Sequence, residues 1–93
     1  MIQVIKRDGE VWDFILTKIS DAIMRAFTAV DIQDSCDVAD LLALRVTADF
    51  QERVTDESIH VADIQESVGK VLEQAGYANA AKAYMDRNMS IAV

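Results

Sequence analysis

Three cations near the start of the chain are the side chains best placed to do chemistry. Lys6 and Arg7 stand side by side before Asp8-Gly9, and Lys18 follows shortly after. Asp8-Gly9 suits a two-residue type I′ turn, and the apolar runs on either side, Ile2 to Lys6 and Val11 to Ile15, read as two short strands. The pair of cations then sits at the tip of a hairpin. Lys18 falls in the first turn of the following helix, where a cation opposes the helix dipole unless an anion is near. The chemistry these residues offer is the holding of an anion beneath a lid. The same residues also fit a capping hairpin with two solvated charges, and the spacing alone leaves both readings open.

Other chemistries are excluded. His60 is the only histidine and Cys36 the only cysteine, so no Cys/His set can hold zinc and no internal disulfide can form. There is no GxGxxG and no phosphate loop of the Walker type. Asp31, Asp34, Asp37 and Asp40 lack the central glycine and closing glutamate of a calcium loop. A Cys36–His60 pair has too little chain around it for an oxyanion site and a pocket. The chain does not read as an enzyme by itself.

With 93 residues, the expected organisation is one domain over 1–93, with a hairpin lid (1–15) on a helical bundle (16–90). A composition 52% hydrophobic and free of proline favours a compact, mainly helical core. The net charge is −7, and residues 31–66 carry ten acids against two bases. A nucleic-acid binder would show a basic face, so no nucleic-acid partner is expected. No run of 18 apolar residues is present, so no membrane span is expected, and the single cysteine fits a cytoplasmic protein.

The hairpin register implied by the two-residue turn opposes Ile5 to Trp12 and Lys6 to Val11. It gathers Ile5, Trp12 and Phe14 on one face, and Ile2, Val4, Val11 and Ile15 on the other. Apolar spacing predicts helices over 16–30, 36–54, 62–75 and 78–89, with a short strand over 58–61 that can join the hairpin. Thr17 is the expected cap of the first helix, and Ser35 or Asp37 the start of the second. The second helix should bury Val38, Leu41, Leu42, Val46 and Phe50. Asp21–Arg25, Arg45–Asp49, Asp49–Arg53 and Glu66–Lys70 are spaced to pair along helix surfaces. Gly76 fits a helix C′ position, and Gly69, inside the third helix, implies close packing or a nearby backbone. The tail from Ser90 to Val93 is expected to fray. The fold class is α+β, mostly α: four helices capped by a three-stranded sheet.

Several blocks add up to a resemblance. Val4-Ile5-Lys6-Arg7-Asp8-Gly9, then Phe14, Lys18-Ile19 and Ala22-Ile23, are followed by Asp63-Ile64-Gln65 with Val68, and by Ala80-Ala81-Lys82-Ala83-Tyr84. In this order they resemble the ATP-cone domain, the regulatory module found mostly at the N-terminus of ribonucleotide reductases. The resemblance covers nearly the whole chain. It implies a nucleotide, ATP or dATP with Mg2+, bound beneath the hairpin as an allosteric effector. The implied partner is a reductase catalytic domain or subunit, with a nucleotide-dependent oligomer as a possible output. A repressor of the reductase genes shares the module, but its zinc ribbon needs several cysteines and this chain has one.

Carried over position by position, the resemblance implies that Lys6, Arg7 and Lys18 meet the phosphates. It puts Val4 against the base, and Gln65 on the third helix close to the phosphates. The chain departs from the family at Trp12 (commonly Glu), Ile15 (Asp or Asn) and Val61 (often Ser or Thr), and after Arg87 it has Asn88-Met89 in place of a basic run. Each lost hydrogen bond is worth about 0.5–1.5 kcal/mol, so losing two to four weakens binding by about ten- to a thousand-fold. The Trp12 indole can stack on a purine or fill its space. With Ile15 and Val61 beside it, filling is the expectation, with the ring mostly buried. Two readings follow: a regulatory domain sensing ATP against dATP, or a degenerate cone acting as a structural or subunit-interaction module.

Overall fold

A computed structural model describes residues 2–33 and 36–89, the last three of these by backbone alone. The elements are β1 (Gln3–Ile5), β2 (Val11–Asp13), α1 (Leu16–Ala29), α2 (Cys36–Phe50), β3 (Ser58–His60), α3 (Val61–Gln74) and α4 (Ala78–Met89). A single 3-10 turn, Gln51–Arg53, closes α2. The four helices pack as a ring in which α1 meets α2 and α4, and α3 meets α2 and α4. Ile23, Phe27, Val46, Phe50, Val68 and Leu72 fill its centre. The three strands form one sheet in the order β2-β1-β3, with β1 antiparallel to β2 and parallel to β3. The fold class and the four helices agree with the periodicity of the sequence.

The hairpin turn differs from the expectation. Gly9 N–H donates to the Lys6 carbonyl at 2.9 Å, and Lys6 N–H donates to the Glu10 carbonyl at 2.7 Å. The loop is therefore Arg7-Asp8-Gly9, three residues long, with Gly9 at φ 91°. Asp8 Oδ1 accepts the Glu10 N–H at 3.0 Å and fixes the bend. The extra loop residue shifts the register, so that Val4 opposes Trp12 and Ile5 opposes Val11. Val4 and Lys6 thus share the face of Trp12 and Phe14, while Ile5 joins Val11 on the outer face. Ile2, Val4 and Phe14 pack on the bundle, Phe14 meeting Phe50 edge-on at 5.4 Å between ring centres. A two-residue turn does occur at Asp56-Glu57, where both residues have positive φ and Thr55 and Ser58 exchange 2.9 Å hydrogen bonds.

Other expectations need correction. Thr17 does not cap α1: Ile15 occupies the cap position without a side-chain bond, and Thr17 already lies in the first turn. Val61 opens α3 and does not end β3. Leu41 is exposed, as is Leu44, because α2 buries Ala39, Leu42, Ala43, Val46 and Phe50 instead. Asp49 reaches across to α3, where Lys70 Nζ donates to its Oδ1 at 3.0 Å, and Glu66 faces Arg53 at 3.6 Å. Ser35 and the tail 90–93 lie outside the described residues.

Gly76 is at φ 93°, and it closes α3 through bonds from its own N–H to Glu73 and from the Tyr77 N–H to Leu72. A Cβ on Gly69 would stand 2.9 Å from Met85 Sδ, which is the close packing its position implied.

Candidate functional site

The hairpin lies over the end of the bundle where α1 and α3 begin, and two adjoining cavities open there. The deeper one, about 180 Å³, runs between Val4, Trp12 and Ile15 of the hairpin segment, Lys18 of α1, Val61 of α3 and Tyr84 of α4. The shallower one, about 320 Å³, lies under the hairpin tip between Lys6, Arg7, Asp8, Val61 and Gln65. Lys6 and Val61 line both. All eight residues singled out from the sequence, Val4, Lys6, Arg7, Trp12, Ile15, Lys18, Val61 and Gln65, therefore line one or both of these adjoining cavities.

Each side chain is placed by a local cause. The G1-type loop turns Arg7 toward α3, where its Nη2 donates to Gln65 Oε1 and ties the hairpin tip to the bundle. Strand alternation sends Lys6 inward with Val4. His60 precedes α3 with extended backbone and offers no side-chain cap to the first N–H groups of the helix, and Val61 and Gln65 of α3 line the shallower cavity. An unsatisfied helix N-terminus with two nearby cations is a strong anion-attracting arrangement.

Trp12 is the main correction at the site. The expectation was a ring mostly buried as a filler, but the residue is 47% exposed. It sits on β2, an edge strand, and lines the deeper cavity. Its Nε1 donates to Glu10 Oε2 at 3.0 Å. Lys6 Nζ lies 4.7 Å from the ring centre and Lys18 Nζ 5.4 Å. Such cation–π contacts are worth about 0.5–1 kcal/mol at exposed sites. Ile15 is also 47% exposed and leaves the cavity rim open.

In the sequence Tyr84 closes an alanine-rich block, and it is not among the site residues expected there. Its ring is buried, and burial pushes the phenol up to about 12, with the positive charge of Arg7 acting the other way. Asp13, at the edge of the sheet, also lines the deeper cavity. Tyr84 carried one usable signal: Ala80 and Ala81, one turn earlier, are small and buried and let α4 approach the others. The side chains of Arg87 and Asn88 lie outside the described residues.

Among the described residues, no three His, Cys, Asp or Glu side chains gather to hold a metal ion, and no helix is long and apolar enough to cross a membrane. The shallower cavity is lined mainly by charged and polar side chains, and the deeper one mainly by aliphatic and aromatic ones, with Lys6, Lys18 and Asp13 among them. Together they can take a ligand that is an anion at one end and a flat ring at the other.

Residues 2–88 match the family model for the ATP cone domain. The chain is 36% identical over 91 residues to the ribonucleoside-diphosphate reductase subunit alpha of Chlamydia pneumoniae, an alignment that takes in 91% of this chain. The chain spans only 9% of the length of that relative.

Proposed function

The chain belongs to the ATP cone domain family, and we propose that it is the nucleotide-sensing module of a ribonucleotide reductase. It binds ATP or dATP, with Mg2+ arriving on the phosphates, and passes the difference to a catalytic domain or subunit as a change in activity or oligomeric state. It acts in the cytoplasm. The observation that carries this reading is the pair of cavities that share Lys6 and Val61. The triphosphate lies at the start of α3 among Lys6, Arg7 and Gln65, with Lys18 reaching in from α1, and the base enters the deeper cavity against Val4. Family membership supports it, since ATP cones generally bind nucleotide effectors, and the match to a reductase subunit supports the partner.

The test is calorimetric titration of the chain with ATP and dATP, compared with the Lys6→Ala/Arg7→Ala double variant. A hydrogen bond to a charged group is worth about 1.5–3 kcal/mol, so losing both side chains should weaken binding by about 100-fold or more. Unchanged affinity in the double variant excludes the hairpin tip as the phosphate site. A wild-type chain that binds neither nucleotide would be a packing or subunit-interaction module, a reading favoured by the apolar Ile15 and Val61 at the cavity rim.

A further inference from the structure

The exposed indole at the mouth of the deeper cavity has no structural employment that accounts for it. It contributes little to the core, being half open to solvent, and its only donor is already held by Glu10. What the ring does hold is two ammonium groups, Lys6 and Lys18, which are also the cations assigned to the phosphates. A ring face that attracts cations is also a face on which a flat base stacks. We propose that Trp12 is the base platform of the nucleotide site, reading the face of a purine and not its edge, so that the site accepts purine nucleotides as a class, guanine beside adenine. This rests on the nucleotide-binding reading above.

The binding event is an exchange. In the free chain, Lys6 and Lys18 lean on the indole. An entering nucleotide draws both ammonium groups to its phosphates, where full negative charge outcompetes the ring quadrupole. The freed ring face receives the base. Because the two lysines come from different elements, the hairpin and α1, the ring holds them close together before the ligand arrives.

The class follows from the polar groups left around the base. Apart from the two lysines, the deeper cavity presents the Asp13 carboxylate among walls that are otherwise aliphatic or aromatic. The Asp13 carboxylate can accept from the exocyclic amine of adenine or from the ring N–H and amine of guanine, and the indole face stacks on either base. Strong discrimination between similar ligands requires buried groups that the wrong ligand leaves unpaired. Asp13 is exposed, so neither purine leaves it buried and unpaired. A pyrimidine presents less ring surface to the indole and binds more weakly.

The experiment is calorimetric titration of the chain with ATP, GTP and CTP, for wild type, Trp12→Leu and Trp12→Phe. The expected result is ATP and GTP affinities within about 10-fold of each other and CTP weaker than both. Trp12→Leu should weaken both purines by a common factor of about 5- to 100-fold, and Trp12→Phe should keep most of the affinity. Wild-type fluorescence gives a readout that needs no variant, since Trp12 is the only tryptophan. ATP and GTP should each protect it from acrylamide.

A wider gap between ATP and GTP, CTP binding as tight as ATP, or unchanged affinity in Trp12→Leu overturns the proposal while nucleotide binding stands. Binding of no nucleotide by the wild type overturns both.

Discussion

Replacing Tyr84 with phenylalanine should change how the fold responds to alkali. Its phenol is 6% exposed, and burial raises its ionisation from the ordinary 10.0 to about 12. The neutral phenol is thus favoured in the fold, while the unfolded chain loses its proton near 10. Below pH 10 both states are protonated and Tyr84 adds no pH dependence. As pH rises from 10 to 12, the unfolded state gains the phenolate first and the fold loses stability. Holding the ionisation back over that interval costs about 2–3 kcal/mol by the upper end of the range. That is a large share of the 5–15 kcal/mol typical of native proteins. Urea unfolding of wild type and Tyr84→Phe at pH 8, 10, 11 and 12 reads it. Lysine ionisation affects both proteins alike, so the difference between them isolates Tyr84. The wild type should lose about 2–3 kcal/mol relative to the variant across this range. A constant difference from pH 8 to 12 would refute the assignment of burial as the cause. The opposing charge of Arg7 adds a second check: in Arg7→Ala the phenol should ionise still later.

Three further outcomes follow from packing and charge. Gly69→Ala gains about 1 kcal/mol of helix propensity but sets a Cβ 2.9 Å from Met85 Sδ. It should therefore stabilise by about 1 kcal/mol only in a Met85→Ala background, and a double-mutant cycle with zero coupling contradicts the contact. The Asp49 carboxyl is held below its ordinary range chiefly by the hydrogen bond from Lys70. The Ser67 hydroxyl beside it adds to this, although neither Ser67 Oγ nor Asp49 Oδ2 reaches hydrogen-bond geometry, and burial acts in the opposite direction. The stabilisation is then complete above the unfolded value near 3.8 and is lost as pH falls through the lower folded value. Asp49→Asn should be less stable than wild type at neutral pH, with the gap closing below about pH 4. Urea midpoints that stay equally far apart down to acid pH would rule this out. In Lys6→Ala, the Trp12 emission should change in the free chain, because an ammonium group 4.7 Å from the ring centre is removed. An identical spectrum and identical quenching by iodide would show that the contact is not populated in solution.

The helices were legible because each carries apolar residues at helical spacing that meet a neighbour in the ring, and because Gly76 marks a stop that only a left-handed residue makes easily. Leu41 was misread for a physical reason. α2 buries alanines as well as large side chains, so the stripe of large residues alone points slightly off the buried face. The hairpin was misread because Asp-Gly fits two loops. It suits the centre of a two-residue turn, and it equally suits the last two places of a three-residue loop with glycine in the bulge.

That single residue decides the site. In the two-residue register, Lys6 would point away from Trp12, to the outer face with Val4. The observed register turns Lys6 and Val4 inward onto the ring and frees Arg7 to reach Gln65 on α3. Residue types therefore gave the cations and the apolar neighbours of the site. The count of residues in the loop determines which cation faces which end. Lengthening the loop by one glycine after Gly9 changes that count while retaining every cation. Binding should then fall as it does in the Lys6→Ala/Arg7→Ala variant, because Lys6 and Arg7 supply a site only through the register that points them into it.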